Sequence, residues 1–419
     1  MSVAEKLDAH CSEYWDFKDV KVEGIHSIAN YPAPMVAPMQ YEILKTLLED
    51  NPDYNKLLDP FHGSGVTLVE GQTLGLEVHG IDINPYAHII SNAKLEKYNP
   101  DVIQKANKRI ARQITTIHNN GRYSVYYFEN IEKWFRQDII NDLSILRAAI
   151  KKEKKKKTRR YYWLCFGEIV KKYSNTRTST FKLHSKTQEN IVSMTNNVLT
   201  DFIKKTEETY LLIGYPCLGK YYLTCGDSIL HMANIADSSI DIICTSPPYG
   251  DNGTTVTYGQ FSTLQLLWID SNDFNYDITC VENYSRIDSL SLGGCLNKNN
   301  PFCFPHRLND YLKKISPHKR TKISRFFADY ENAFRHMVRI LSQNGCIILT
   351  LGNRRIDDIE FPFIQLNEDL ANHYGLVQVY KLTRNIVNKR MPYKVSKLLD
   401  GKSVQSISKE TVLIFQKEG

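Results

Sequence analysis

Lys56-Leu57-Leu58-Asp59-Pro60-Phe61-His62-Gly63-Ser64-Gly65 decides how this chain of 419 residues is read. A short apolar run ends in an acid, a glycine-rich turn follows, and Val66 to Leu74 continues as a helix. Gly63 and Gly65 permit a tight turn and a close approach of backbone to a ligand. The turn is not the Gly-x-Gly-x-x-Gly of dinucleotide sites, and no Gly-Lys-Ser/Thr follows for a triphosphate. A Gly-x-Gly after a strand is a weak signal alone. The next unit strengthens it. Glu77 to Ile81 reads as a second strand closing on Asp82-Ile83, roughly 20 residues past the turn, where an acid hydrogen-bonds ribose hydroxyls. The two units make a βαβ motif with a nucleoside site.

Working outward, a second strand tip carries different chemistry. Ile240-Asp241-Ile242-Ile243-Cys244 reads as a buried parallel strand and runs into Thr245-Ser246-Pro247-Pro248-Tyr249-Gly250. Two prolines rule out both more sheet and an immediate helix, leaving a stiff loop at the carboxyl end of a strand. In an open α/β sheet ligands bind there. A flipped-out base can stack on Tyr249 while Ser246 and the Pro247 carbonyl accept from its exocyclic amine. An ordinary proline-rich turn containing Ser and Tyr is the competing reading.

Composition sets bounds. Hydrophobic content of 42% and charged content of 24% are those of a globular protein with a large core. No stretch is apolar for the length of a bilayer, and the first residues lack a signal-peptide core, so the expected location is the cytoplasm. The nine cysteines are scattered, with no Cys-x-x-Cys pair to suggest a zinc site or a disulfide framework. A net charge of +7 leans toward an anionic partner.

The remaining chain adds further candidates. His26 to Pro38 holds three prolines, including Tyr31-Pro32, and reads as an extended arm before a helix over 39–48. From about 99 to 215 the pattern is helical and polar. Lys151 to Arg160 holds eight basic residues and one acid, and a solvated linker is its plainer reading. Tyr221 to Cys225 is a strand closing on Gly226-Asp227, another acid at a strand tip, and 270–320 is polar and ends in basic residues. The strands 376–382 and 411–416 are placed to pair as an antiparallel edge. Candidate phosphate contacts are Lys154, Arg159, Arg177, Lys182, Lys319, Arg320, Lys389 and Arg390.

With these residues in hand, the chain resembles the S-adenosylmethionine-dependent DNA amino-methyltransferases of restriction–modification systems. Asp59 to Gly65 resembles the family's cofactor loop, with Phe61 inside it. Asp82 with Ile83 matches the ribose-binding position, and Asp227 the adenine-contacting acid. Tyr31-Pro32 is similar to the arm that closes over the methionine part. Ser246-Pro247-Pro248-Tyr249 matches the catalytic loop. The resemblance implies an α/β fold: a Rossmann-like methyltransferase sheet with helices on both faces and an antiparallel edge strand, plus a mainly helical insertion. It divides the chain into an arm and cofactor-binding half (1–98), an insertion that is the candidate DNA-recognition region (99–215), and a catalytic half (216–419) with a polar basic insertion at 270–322.

The resemblance implies cytosine N4 as acceptor, because members of that family with Ser at the position of Ser246 usually methylate it, whereas those that methylate adenine N6 more often carry Asp or Asn. The implied cofactor is S-adenosylmethionine and the implied substrate double-stranded DNA, with base flipping and direct transfer. No metal and no membrane enter this reading, and a companion restriction endonuclease is a candidate partner. Adenine-N6 methylation is the nearest alternative, and a non-catalytic DNA-binding protein on the same fold is the alternative from another class.

Overall fold

A computed structural model of the protein describes residues 2–18, 20–177, 180–214, 218–250, 255–294, 305–352, 354–386, 394–397, 403–405 and 408–418. Its centre is a seven-stranded sheet. The strands are β1 (Lys56–Asp59), β2 (Glu77–Asp82), β3 (Tyr221–Cys225), β4 (Ile240–Thr245), β5 (Leu341–Gly352), β6 (Leu376–Asn385) and β7 (Lys409–Lys417). Their spatial order is β3-β2-β1-β4-β5-β7-β6. The first five are mutually parallel, and β7 runs antiparallel to both β5 and β6. The expected antiparallel pair therefore forms, with β7 threaded between β5 and β6 rather than lying outermost.

Parallel strands buried on both faces need apolar residues at consecutive positions. Ile242 and Ile243 are both fully buried, and they project into two different apolar layers. Leu57, Val78, Ile242, Ile348 and Ile414 serve one layer. Leu58, Ile243, Ile347, Leu349 and Leu413 serve the other. Burying each such side chain stabilises the fold by about 1.5–3 kcal/mol.

The first layer is covered by helices Ala37–Asp50, Val66–Thr73 and Pro85–Leu95, and then by the insertion. The insertion's main helices, Pro100–Asn120, Gln137–Lys151, Lys156–Tyr173 and Val198–Tyr210, are less polar than the sequence suggests. Tyr161, Tyr162, Trp163, Phe166 and Phe202 are fully buried and belong to the same apolar layer as the sheet face. Helices Pro317–Ile340 and Phe363–His373 cover the second layer. Among the described residues no helix is long and apolar enough to cross a membrane.

Candidate active site

Strand register brings the sequence motifs to one edge. Asp59 lies opposite Gly80, Asp82 opposite Cys225, Leu58 opposite Ile243 and Thr245 opposite Leu349. The loops after β1, β2, β3 and β4 thus leave the same carboxyl side. The chain reverses its direction of addition between β1 and β4, the switch point where α/β sheets open a crevice. The glycine turn stands on one side of that point and the Ser-Pro-Pro-Tyr loop on the other.

The glycine turn needs its glycines. Gly63 and Gly65 have φ of +49° and +74°. A Cβ on Gly65 would stand 2.6 Å from the Ser91 Oγ. The Gly63 amide donates to Asp82 Oδ2 at 2.8 Å and the Asn84 amide to Oδ1 at 2.8 Å, so the acid at the end of β2 holds the turn in place. His62 is buried under the turn, with Nδ1 2.9 Å from the Gly63 carbonyl oxygen and 3.1 Å from Ser91 Oγ. Burial pushes that imidazole down to about 4, so it is neutral near pH 7.

Two carboxyls face the turn. Asp59 is fully buried; its Oδ1 accepts from the Phe61 amide at 3.1 Å, and Oδ2 meets no hydrogen-bond partner among the described residues. Burial raises it to about 7, with neighbouring Thr245 and the Phe61 amide pulling the other way. Burial raises Asp82 to about 6. A turn with no Cβ in its way and an under-satisfied buried carboxyl beside it suit a nucleoside ligand that carries positive charge. S-adenosylmethionine has both properties. Asp59, Gly63, Gly65 and Asp82 would hold it, with Phe61 and Ile83 half-buried at the rim.

The arm closes over this site through a residue the sequence reading did not single out. Asn84 is buried, and its Nδ2 donates to Tyr31 Oη (3.1 Å), the Tyr258 carbonyl (3.3 Å) and Ser262 Oγ (2.9 Å). Its Oδ1 accepts from the Tyr86 amide and caps helix Pro85–Leu95. One amide therefore ties the arm, the tip of β2 and helix Tyr258–Trp268 together. The Tyr31 ring stacks on Tyr258 at 5.5 Å and passes 3.4 Å from where a Gly63 Cβ would be. The three-way tie joins segments far apart in the chain, so no local pattern announces it. Pro32 is buried.

On the other side, Ser246 Oγ and Tyr249 Oη lie 3.2 Å apart. Pro247 is buried and Pro248 half-buried between them. Burial and the nearby Glu410 carboxylate raise Tyr249 above an ordinary phenol, so its hydroxyl keeps its proton. Asp227 uses Oδ1 to accept from the Ile229 amide (2.8 Å) and the Leu230 amide (3.3 Å), capping a short helix at the β3 tip.

The basic residues separate into two groups. Arg159 does not face outward: it forks onto Asp273 at 2.6–3.1 Å and also donates to the Glu153 carbonyl. Lys319 pairs with Asp357, and Arg320 donates to the Ile315 and Lys313 carbonyls. Lys154, Arg177 and Lys182 are exposed. Arg177 and Lys182 lie on a small hairpin bridged at Thr176 and Ser185. Its Phe181 meets Phe261 edge-on, and its Leu183 amide donates to Gln260, so it leans on the helix that follows the catalytic loop. Lys389 and Arg390 lie outside the described residues.

The sequence is similar to those of known DNA methyltransferases. The profile of the D12 class of N6 adenine-specific DNA methyltransferases matches residues 41–211. That span holds the glycine turn and Asp82 and stops before Ser246. The Type II methyltransferase M.MvaI of Kocuria varians is 29% identical over 413 residues, which is 92% of this chain and 89% of that protein. The Type II methyltransferase M.MjaII of Methanocaldococcus jannaschii is 46% identical over 52 residues, 12% of this chain and 9% of that protein. A DNA modification methylase from Thermus thermophilus, solved with S-adenosyl-L-methionine, covers 46% of this chain and 53% of its own at 13% identity and a TM-score of 0.22, a likeness that carries no argument. The profile and the near-full-length relative bear out the resemblance drawn from the motifs.

Proposed function

We propose that this chain, an S-adenosylmethionine-dependent DNA methyltransferase of restriction–modification type, methylates the exocyclic N4 of cytosine at specific sites in double-stranded DNA. The observation that carries the choice of base is Ser246. A neutral hydroxyl opens the catalytic loop, 3.2 Å from the Tyr249 hydroxyl and across the switch point from the glycine turn.

The target base is rotated out of the duplex and stacks on Tyr249. Ser246 Oγ and the Pro247 carbonyl accept hydrogen bonds from its amine and orient the nitrogen lone pair. S-adenosylmethionine, when bound, supplies a methyl group already activated as a sulfonium. Asp59, Gly63, Gly65 and Asp82 would hold it, and it would supply its methyl to the amine nitrogen: the S–C bond would break as the N–C bond forms, the amine's extra proton would pass to water, and no protein nucleophile is required. Holding the two partners aligned is the protein's main contribution to rate. Exposed Lys154, Arg177 and Lys182 contact phosphate, the insertion is the recognition region, and the protein acts in the cytoplasm beside a companion endonuclease for the same site.

Adenine N6 is the second reading, favoured by the D12 profile, although its matched span does not reach the loop that grips the base. Mass spectrometry of nucleosides from DNA treated with the purified protein separates the two. N4-methylcytosine is expected, and N6-methyladenine would replace the main reading by the second. No methylated nucleoside at all would leave only a DNA-binding role. Ser246→Ala is expected to slow turnover while cofactor affinity stays within about twofold.

A further inference from the structure

The arm that carries Tyr31 is held from two sides. Ala33, just past Tyr31-Pro32, takes φ +45°, a backbone conformation that alanine rarely adopts. Strain of that kind persists only where the surroundings hold the chain against it. One hold is Asn84 on the Tyr31 hydroxyl. The other comes from the insertion, through helix Lys156–Tyr173. Asn30 Nδ2 donates to Glu168 Oε2 at 2.8 Å. One turn further along that helix, Lys171 Nζ stands 4.5 Å from the centre of the Phe261 ring. Phe261 in turn meets the Tyr31 ring edge-on at 6.2 Å.

Glu168 is itself fixed. Its Oε1 accepts from Tyr86 Oη at 3.2 Å, and Tyr86 is fully buried near the start of helix Pro85–Leu95. Gly167 makes room for that approach: a Cβ there would stand 2.8 Å from Tyr86 Oη. The carboxyl group therefore spends one oxygen on the core and the other on the arm. We infer that Glu168 is a positioning residue for the cofactor, keeping the arm down over the glycine turn through Asn30. The insertion then completes the cofactor site in addition to its place as the candidate recognition region. Glu168 acts without touching the ligand. A ligand that binds under a closed arm loses affinity in proportion to the fraction of molecules whose arm is open, and this hold keeps that fraction small. The inference rests on the arm lying over bound S-adenosylmethionine and is independent of which base accepts the methyl.

The test uses the full-length protein and calorimetric titration with S-adenosylmethionine. A wild type that binds none would remove the cofactor site and this inference together, whereas the variants address Glu168 alone. Glu168→Ala is expected to weaken binding about 5- to 10-fold and to raise the cofactor KM by the same factor, with kcat at saturating cofactor and affinity for a DNA duplex within about twofold. Asn30 is exposed, so Asn30→Ala tests the same bond even if Glu168→Ala fails to fold. It should weaken binding by a similar factor, and the double variant should be no weaker than either single one. Glu168→Gln keeps an oxygen for Asn30 and should restore binding to within about twofold of wild type. A Glu168→Ala protein that loses thermal stability but keeps its cofactor affinity, an Asn30→Ala protein that binds like wild type, or penalties that add in the double variant would overturn the inference.

Discussion

The loop Asp59–Gly65 and the run Lys151–Arg160 both stand out in the sequence, and they behave in opposite ways. The loop stays open toward a ligand. Its glycines adopt left-handed backbone, and its acid, Asp59, is buried with one oxygen unpartnered among the described residues. The run largely closes on the protein. Lys151 pairs with Asp270, Lys157 with Glu96, Arg159 with Asp273, and Arg160 donates to the Asp273 carbonyl. A motif that imposes a backbone conformation carries its own geometry. A row of charges does not, because its partners are chosen by residues far along the chain.

The contrast breaks or holds under three changes. The largest effect is expected at Gly65. Gly65→Ala places a Cβ at φ +74° against Ser91 and costs about 1–3 kcal/mol of local strain. Calorimetric titration should show S-adenosylmethionine affinity lowered about a hundredfold, whereas Lys154→Ala should leave it unchanged.

Arg159→Ala comes next. It leaves the nearly buried Asp273 carboxylate with only the Trp163 indole N–H and no cation, and stability should fall by about 2 kcal/mol, read from denaturant unfolding. A protein of unchanged stability that binds DNA more weakly would instead return the run to the nucleic-acid surface.

The third effect is a pH dependence. Burial raises Asp59 from 3.8 to about 7, so the folded protein holds that proton more tightly than the unfolded chain. Its contribution to stability is full below pH 3.8 and is lost as pH rises through about 7. A cationic ligand favours the ionised carboxyl. Cofactor affinity should therefore gain about tenfold between roughly pH 6 and pH 8 as the ligand-free Tm falls, and Asp59→Asn should flatten both trends.

Legibility follows the same division. The βαβ unit was readable because strand, turn, helix and acid are consecutive, and Ser246 to Tyr249 was readable because two prolines leave the chain few options. Asn84 carries no local signal of its three-way tie, which joins segments far apart in the chain. Glu410 comes opposite Gly352 and Arg384 through sheet order alone, and nothing local in Lys409-Glu410-Thr411 announces it. Aromatic residues such as Trp163 and Phe166 were hidden among lysines, so the insertion read as more polar than it is.

The position of β7 also orders events at the ribosome. β5 and β6 lie on either side of a gap that only residues 409–417 fill. A nascent chain arrested before that segment emerges leaves both strands with a bare hydrogen-bonding edge, exposed to mispairing and to chaperones. Competence to modify DNA would then switch on late in synthesis and all at once, so partial translation products would be inert rather than promiscuous.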